Sequence, residues 1–405
     1  MEAQKQEDFT FTIYGNPEID RVIGDQVNEV TRRILRERKD VTSIFLLGGY
    51  ARGEGSVLFN HGTVTPLGDY DFLVLTKFPH FSARHLWTEA LERKFRIQYP
   101  IDIGLLWKAL LPYLGNRIYW YEAKFGSRLL YGEKNALDAL PFTDANDVDI
   151  SEGISLMFNR LAGSLRVFDP QFLFEKPSEE NNGHLIFQSV KLILACAESL
   201  LLLSGRYHYS YQERCTRFLE WSETDFPELF SIDPTLKDDF ARATDFKLRP
   251  RYSTYNDPVG FWFEANEHAF KTMTFFYHEA SKRKKEMMRS LADEPRFPED
   301  MIEESRPDPV DFVKFNLGAI SRYGSLKGII RLDHGFSSIA RASLYYLARS
   351  IGADGDVNQP LLEKSHTLLK TIIPMAKPGY SEKESFAKWV ALRDAGLGAW
   401  TISRH

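Results

Sequence analysis

The sequence has few cysteines, no excess of positive charge and no long apolar run. Only two of its 405 residues are cysteine, Cys196 and Cys215, which is too few for a disulfide scaffold and is typical of a reducing compartment. Lys and Arg total 51 against 56 Asp and Glu, a formal net charge of −5. Proteins that bind nucleic-acid phosphates usually carry a basic excess, so binding to nucleic acid is not favoured and would need a local basic patch.

The sequence predicts neither a secretion signal nor a membrane span. The first residues lack the basic and then apolar order of a signal peptide. The most apolar stretch, Leu185 to Leu203, is interrupted by Gln188, Lys191 and Glu198, and no stretch approaches the ~18 uninterrupted apolar residues of a span. We therefore expect a cytoplasmic protein that does not enter a membrane.

The pattern of the chain changes near residue 145. Before that point, short apolar segments rich in β-branched residues alternate with helical patterns, which predicts an α+β fold with a mixed sheet. The predicted elements of this part are a helix over 17–38, strands over 41–47, 69–75 and 101–106, a helix over 82–98, and a last segment of helix and strand that ends at Gly132.

Beyond residue 145 the pattern is helical almost throughout. The clearest predicted helices cover 151–168, 185–204, 260–288, 311–320, 337–351 and 361–373. Residues 293–309 carry prolines among charged side chains and predict a linker or surface loop. The predicted domains are a mixed-sheet domain of residues 1–145, a helical domain of residues 146–292 that lines a cleft, and a C-terminal helical domain or subdomain of residues 310–405.

Three aspartates stand on or beside predicted strands. Asp69 and Asp71 are two residues apart, so in a strand they point to the same face, and Asp102 lies in the apolar strand 101–106. Carboxylates that close repel each other unless a proton or a cation neutralises them. Mg²⁺, with Mn²⁺ as the alternative ion, takes a few carboxylates together with substrate phosphates. If the two strands are neighbours, the three acids form a two-metal site for in-line phosphoryl displacement.

A glycine-rich segment follows the first predicted strand. Gly48 and Gly49 stand where the strand would turn into a helix, and such a turn presents backbone N–H groups to an anion. Glycine also permits a close approach of the backbone to a ligand. Arg52 adds a guanidinium whose paired donors suit phosphate oxygens. The segment therefore predicts a triphosphate pocket next to the acids.

Each feature also has an ordinary structural explanation. An Asp-x-Asp pair is common on solvated loops and edge strands, and a single acid such as Asp102 can simply face water. The glycine turn is neither a Gly-x-Gly-x-x-Gly motif nor a P-loop. What favours a functional site is the joint order, in which each feature lies on or beside its own predicted strand.

Together, the segments Leu46–Gly55, Asp69-Tyr70-Asp71-Phe72 and Ile101-Asp102-Ile103 resemble the polymerase β-type nucleotidyltransferase superfamily. The pattern of that superfamily is an apolar residue, Gly, then Gly or Ser, a spacer, Asp-apolar-Asp/Glu and a third acid on a later strand. The motif Gly-Gly-Tyr-x-Arg-Gly-Glu is similar to the catalytic motif in the transferase domain of the bacterial PII uridylyltransferases. The resemblance covers residues 40–135.

The resemblance implies a Mg²⁺-dependent transfer of a nucleoside monophosphate from an NTP to an acceptor hydroxyl, with release of pyrophosphate. Asp69 and Asp71 would each coordinate Mg²⁺, and Asp102 would complete the metal site and help deprotonate the acceptor hydroxyl. The residues that would hold the nucleotide near the turn are Gly48, Gly49, Tyr50, Arg52 and Gly53.

This sequence departs from the superfamily at two places. Gly49 stands where the superfamily frequently has Ser, so a hydroxyl donor to phosphate is lost. The spacer from Tyr50 to Gly68 is longer than usual, and we interpret the extra segment Val57–Thr63 as an inert insertion. A gate over the site or an acceptor-recognition element is the alternative. His61, within it, is interpreted as a surface residue.

Two features of the helical region have two interpretations each. Lys191, with Gln188 and Glu198, forms either the solvent-facing stripe of a mostly buried helix or, as the resemblance implies, a contact with the triphosphate. Residues 204–214 combine a glycine helix stop with three tyrosines and two arginines. They either stack a base or bind an acceptor, or they pack their rings between helices.

The predicted function is therefore that of a nucleotidyltransferase acting on an NTP and an acceptor of unknown identity. Two alternatives remain open. One is a synthase of nucleotide second messengers on the same scaffold, in which the acceptor hydroxyl belongs to another nucleotide. The other is a non-catalytic, NTP-binding regulatory or antitoxin-like protein.

Overall fold

The computed structural model describes residues 10–60, 63–79, 88–95, 101–288, 297–303, 336–372 and 385–404. Three sequence predictions fall wholly or largely outside these residues: the helix over 311–320, the surface position of His61 and most of the linker over 293–309. The two ends of the predicted helix over 82–98 also lie outside them.

The described residues form six strands in two sheets. The strands are β1 Val41–Leu46, β2 Val57–Asn60, β3 Thr63–Pro66, β4 Tyr70–Thr76, β5 Ile101–Trp107 and β6 Arg128–Gly132. The larger sheet has the order β5-β4-β1-β6, and β2 and β3 form an antiparallel hairpin. In the larger sheet β1 pairs antiparallel with β4 and β6, whereas β4 and β5 are parallel. The sheet is therefore mixed, which confirms the prediction.

Helices make up most of the remaining described chain. Those of the N-terminal part are α1 Pro17–Glu37, α2 Gly48–Ala51, α3 Thr88–Phe95 and α4 Ile118–Gly126. Those that follow are α5 Ser151–Val167, α6 Glu179–Leu203, α7 Tyr211–Asp225, α8 Pro227–Ile232, α9 Leu236–Leu248, α10 Pro258–Met288, α11 Glu299–Glu303, α12 Phe336–Arg349, α13 Gln359–Ile372 and α14 Ser385–Arg404. Short 3₁₀ turns cover Lys108–Tyr113, Ala136–Ala139, Ala145–Asp147, Pro170–Leu173 and Tyr252–Thr254. The predicted α+β class with a large helical C-terminal region is confirmed.

Helix α1 covers one face of the larger sheet. It begins where the Asn16 side chain accepts a hydrogen bond from the Glu18 N–H at 2.9 Å, with Pro17 as its first residue. Its apolar residues recur at helical spacing and are buried in one core with alternate residues of the strands. The core residues from α1, β4 and β5 are Ile19, Ile23, Val27, Val30, Ile34, Tyr70, Phe72, Val74, Ile101 and Ile103. Because strand side chains alternate, the residues between these point to the opposite face.

The chain divides into two compact units, each assembled from separate segments. The first consists of Met1–Glu152, Leu201–Asp225 and Lys237–Arg251, and the second of Gly153–Leu200, Phe226–Leu236 and Tyr252–His405. These units are discontinuous, whereas the predicted domains are continuous segments. Helix α7 and almost all of α9 therefore belong with the mixed sheet.

Helix α6 is the one helix in the described part of the chain that is long and apolar enough to cross a membrane. In its most apolar 18-residue window, 89% of the residues are buried inside the protein. Its length and composition are therefore weak evidence for a membrane span.

Candidate functional site

Asp71 and Asp102 lie side by side on one face of the larger sheet. They are register partners on the parallel strands β4 and β5. Residues in register on neighbouring strands are about 4.8 Å apart and project from the same face. Their neighbours Tyr70 and Ile101 are buried against α1, so both carboxylates project from the opposite face. The predicted adjacency of these two acids is present in the structure.

Asp69 stands just before this pair. Strand β4 begins at Tyr70, so Asp69 is not part of the strand as predicted, and its side chain is exposed. Within the residues that the structure describes, no group of three or more His, Cys, Asp or Glu side chains is arranged to hold a metal ion. The structure therefore brings together two of the three predicted acids, and the metal role of Asp69 stays a prediction.

Gly48 brings the backbone close to the acid pair. Its φ is +70°, a value that residues with a side chain rarely adopt, and a Cβ at this position would lie 3.1 Å from Oδ2 of Asp71. The adjacent Leu47 N–H donates to the Asp71 carbonyl oxygen at 2.8 Å. The turn after β1 is thereby tied to the strand that carries Asp71, and its backbone passes next to that carboxylate.

Gly49 is required by the turn itself. Its carbonyl oxygen accepts hydrogen bonds from the N–H of Arg52 at 3.1 Å and of Glu54 at 2.8 Å. A Cβ at this position would lie 2.8 Å from the carbonyl oxygen of Glu54. Serine, frequent at this position in the superfamily that the sequence resembles, would displace the backbone here. The missing hydroxyl therefore has a local structural cause.

The side chains of Tyr50 and Arg52 are inside the fold, and the predicted nucleotide contacts at these residues stay a prediction. Tyr50 is 2% exposed, and its hydroxyl donates to the Ser56 carbonyl oxygen at 2.7 Å. Burial raises the pKa of Tyr50. The Arg52 side chain is 4% exposed. A nucleotide contact at these two residues would have to use their backbone. Gly53, with φ +75°, turns the chain between Arg52 and Glu54.

Arg52 belongs to a buried cluster of charged side chains. Its Nε lies 3.5 Å from Oε2 of Glu54, and its Nη1 lies 3.3 Å from Oε2 of Glu122 on α4. Arg214 on α7 pairs with the same Glu122, and the Tyr207 hydroxyl donates to Oε1 of Glu122 at 2.6 Å. Burial alone would raise the pKa of Glu122, but the guanidinium groups of Arg214 and Arg52 outweigh it, so this pKa is below its ordinary value.

Glu54 caps helix α7. Its carboxylate accepts hydrogen bonds from the Ser210 hydroxyl at 2.7 Å, the Tyr211 N–H at 2.9 Å and the Gln212 N–H at 3.1 Å. Burial would raise the pKa of Glu54, yet these bonds outweigh it and the pKa is lowered. A carboxylate at this position satisfies backbone N–H groups that the helix itself leaves unpaired. The glutamate of the Gly-Gly-Tyr-x-Arg-Gly-Glu segment thus joins the glycine turn to a helix more than 150 residues away.

The tyrosines of residues 204–214 pack between helices rather than forming an open stacking surface. Tyr207 is 1% exposed, and the guanidinium carbon of Arg214 lies 4.6 Å from the ring centres of Tyr207 and Tyr211. Tyr209 packs against α4, where a Cβ at Gly126 would lie 3.0 Å from its ring. Of the two interpretations of this segment, the structure favours packing.

Val57–Asn60 and Thr63, from the segment interpreted as an inert insertion, belong to the β2–β3 hairpin, and the functional role of the segment stays a prediction. The base of the hairpin is fixed to α9, since the Ser56 hydroxyl donates to the Lys247 carbonyl oxygen at 2.6 Å. The ammonium of Lys247 in turn donates to Oγ of Ser56 at 2.9 Å. The hairpin is therefore a regular element with a defined anchor.

Tyr119, on α4, is a residue at the acid pair that no sequence pattern indicated. A Cβ at Gly104, two residues after Asp102 on the same face, would lie 3.5 Å from the Tyr119 hydroxyl oxygen. Burial and the charges of Asp71 and Asp102 raise the pKa of Tyr119, so the hydroxyl keeps its proton and can donate. The residue as a whole is 43% exposed, which leaves part of it open to a ligand.

Lys191 lies on α6 in the second unit. Its ammonium nitrogen is 4.6 Å from the ring centre of Phe187. Its predicted contact with the triphosphate stays a prediction.

No protein-family model matches this chain, and no curated protein matches it significantly.

Proposed function

We propose that the first unit is a Mg²⁺-dependent nucleotidyltransferase, which moves a nucleoside monophosphate from an NTP to an acceptor hydroxyl and releases pyrophosphate. The observation that carries the proposal is the register pairing of Asp71 with Asp102 on one face of the mixed sheet, with the Gly48 backbone against the Asp71 carboxylate. An apolar environment on the other face of both strands holds the pair in place.

The paired carboxylates suit a divalent cation. Their donor atoms are carboxylate oxygens, and Mg²⁺ is commonly held by one or two carboxylates together with substrate phosphates. Two like charges this close also favour a cation between them. Asp71 and Asp102 would hold the ion, with Asp69 as the predicted third ligand. When bound, the ion supplies positive charge to the phosphoryl oxygens during transfer.

The other residues of the proposed site have roles that follow from their positions. The backbone at Gly48 lies on the β1 side of the acid pair, where it can approach the triphosphate closely. Asp102 lies on β5, at the end of the sheet order, so an acceptor that approaches from that side meets its carboxylate. The Asp102 carboxylate then accepts the proton of the acceptor hydroxyl. Catalysis relies on positioning and charge neutralisation, without a covalent enzyme intermediate.

Pyrophosphate release tests this proposal. The full-length protein is incubated with Mg²⁺ and each common NTP over a panel of acceptors, and the variants Asp71→Asn and Asp102→Asn are compared with it. We expect both variants to lose about a hundredfold or more of the rate, while thermal melting shows that the fold is retained. The matched control Asp138→Asn, an exposed acid of the same unit, should keep the rate. Wild-type release by Asp71→Asn would overturn the proposal.

Product analysis separates this function from the two alternatives. Chromatography of the same incubations would reveal cyclic or linear dinucleotides if the acceptor hydroxyl belongs to another nucleotide. Binding of Mg²⁺ and NTP with no pyrophosphate release from any acceptor would instead favour a regulatory protein.

A further inference from the structure

The hydroxyl of Tyr119 lies over β5, the strand of the acid pair that is farther from the glycine turn in the sheet order. Along the sheet order, the Gly48 turn follows β1, Asp71 lies on β4 and Asp102 on β5. Tyr119 lies over β5, with its hydroxyl 3.5 Å from the position of a Cβ at Gly104. A group bound at the two carboxylates would therefore lie near the Gly48 backbone at Asp71 and near the phenol over β5, two residues along the strand from Asp102.

The helix that carries Tyr119 is held in place by the buried charge cluster. Glu122 lies one turn after Tyr119 on α4, and residues three apart share a helix face. The Glu122 carboxylate is bound by Arg52 and Arg214 and accepts a hydrogen bond from Tyr207. Since Glu122 is fixed by three side chains, the position of the phenol is set before any substrate arrives, as a useful hydrogen-bond donor requires.

The chemistry of the phenol suits a phosphoryl oxygen. Tyr119 is a neutral donor beside two negative carboxylates. A cation bound by the carboxylates would bring a negative ligand oxygen near them, and that oxygen could accept a hydrogen bond from the phenol. The glycine turn lacks a side-chain hydroxyl at Gly49, because a Cβ there would lie 2.8 Å from the carbonyl oxygen of Glu54. Tyr119 supplies a hydroxyl from above β5.

We propose that Tyr119 contacts the substrate of this site, and that its hydroxyl donates a hydrogen bond to an oxygen of the phosphoryl group that is transferred. The inference rests on the proposed nucleotidyltransferase function and adds to it a substrate-contacting residue. Tyr119 acts as a donor of fixed position throughout the reaction, and it neither loses its proton nor forms a covalent bond.

Calorimetric titration with non-hydrolysable α,β-methylene analogues of ATP, GTP, CTP and UTP in the presence of Mg²⁺ tests the inference. We expect Tyr119→Phe to bind the preferred analogue roughly tenfold more weakly than the wild type, the effect of one lost hydrogen bond to a charged group. The control Tyr113→Phe, whose side chain is 83% exposed, should bind like the wild type. Gly104→Val keeps the Tyr119 side chain but crowds its hydroxyl, and it should show a similar loss.

The outcomes separate this inference from the proposed function. If the wild type binds none of the analogues, the proposed function fails. If the wild type binds an analogue and Tyr119→Phe binds it with the same affinity, the inference about Tyr119 is overturned and the proposed function stands. Melting curves of the variants confirm that each comparison is made between folded proteins.

Discussion

Replacing Glu54 by Gln removes one charge from the buried cluster and nearly keeps the size of the side chain. The carboxylate is 2% exposed and accepts three hydrogen bonds, with Oε1 facing Ser210 and Gln212 and Oε2 facing Tyr211. A Gln side chain keeps the shape but has an NH₂ group in place of one oxygen. At least one of the three donors would then face another donor, and Arg52 would lose one of its two carboxylate partners.

The expected cost follows from these contacts. A hydrogen bond to a charged group contributes roughly 1 kcal/mol more than one to a neutral group, so three such bonds give about 3 kcal/mol. This value agrees with the lower end of the range of about 3–5 kcal/mol for removing one partner of a buried ion pair. We therefore expect the free energy of unfolding of the first unit to fall by about 3 kcal/mol.

The measurement needs a local readout, because a chain with two compact units does not have to unfold in one step. Urea unfolding followed by far-ultraviolet circular dichroism gives the overall stability. Hydrogen exchange of peptides that span Tyr211–Asp225 reports on α7 itself. We expect faster exchange at the start of α7 in Glu54→Gln than in the wild type.

Glu213→Gln is the matched control, since it makes the same chemical change on the same helix. Glu213 is 43% exposed and pairs with Arg217 one turn away. Such surface pairs contribute about 0.5 kcal/mol or less. If the two variants lose the same stability, or if α7 exchanges at the same rate in Glu54→Gln and the wild type, Glu54 does not anchor α7.

Four further predictions test other parts of the structure. The pKa values of Glu54 and Glu122 are lowered in the folded state, so both ionised carboxylates stabilise the fold above the ordinary pKa of 4.5. This stabilisation is lost as the pH falls through the lower folded-state pKa values, and urea midpoints over a pH series measure the loss. Gly49→Ser should lower the melting temperature as much as Gly49→Ala, because both add the same Cβ 2.8 Å from a carbonyl oxygen. Gly132→Ala should lower it further, because its Cβ would lie 1.9 Å from the Thr42 carbonyl oxygen. If Lys191 contacts the triphosphate, Lys191→Ala should weaken binding of Mg²⁺ and a methylene analogue roughly tenfold, and an unchanged affinity would identify it as part of a solvent-facing stripe.

The sheet that carries the acids could be predicted from the sequence because its signals are local. Apolar β-branched runs predicted β1, β4 and β5 to within one or two residues, and the two-residue period placed Asp71 on one face. The hairpin of β2 and β3 could not be predicted, because its sequence resembles a spacer between two motifs. Helix α7 could not be predicted because two of its three buried residues, Arg214 and Ser222, are polar, so its buried face shows no apolar periodicity.

The parts of the site that could not be predicted depend on contacts between distant residues. Arg52 has a side chain suited to binding phosphate, yet it pairs inside the fold with Glu122, which lies 70 residues away in the sequence. Glu54 meets the start of α7 across 157 residues, and no local pattern marks that pairing. Tyr119 reaches the acids only through the way α4 packs, so periodicity gives no indication of it.

Arg52 and Glu54 connect the glycine turn to α7. A fragment that ends after the sheet would therefore lack contacts that hold the turn. A fragment cut near residue 150 would expose Glu54 and strip Glu122 of its Arg214 partner. A fragment that keeps the first unit whole has to include Leu201–Asp225 and Lys237–Arg251 along with the sheet. Natural variation should follow the same rule, with exchanges at Arg52 or Glu54 accompanied by exchanges at Ser210 or Arg214.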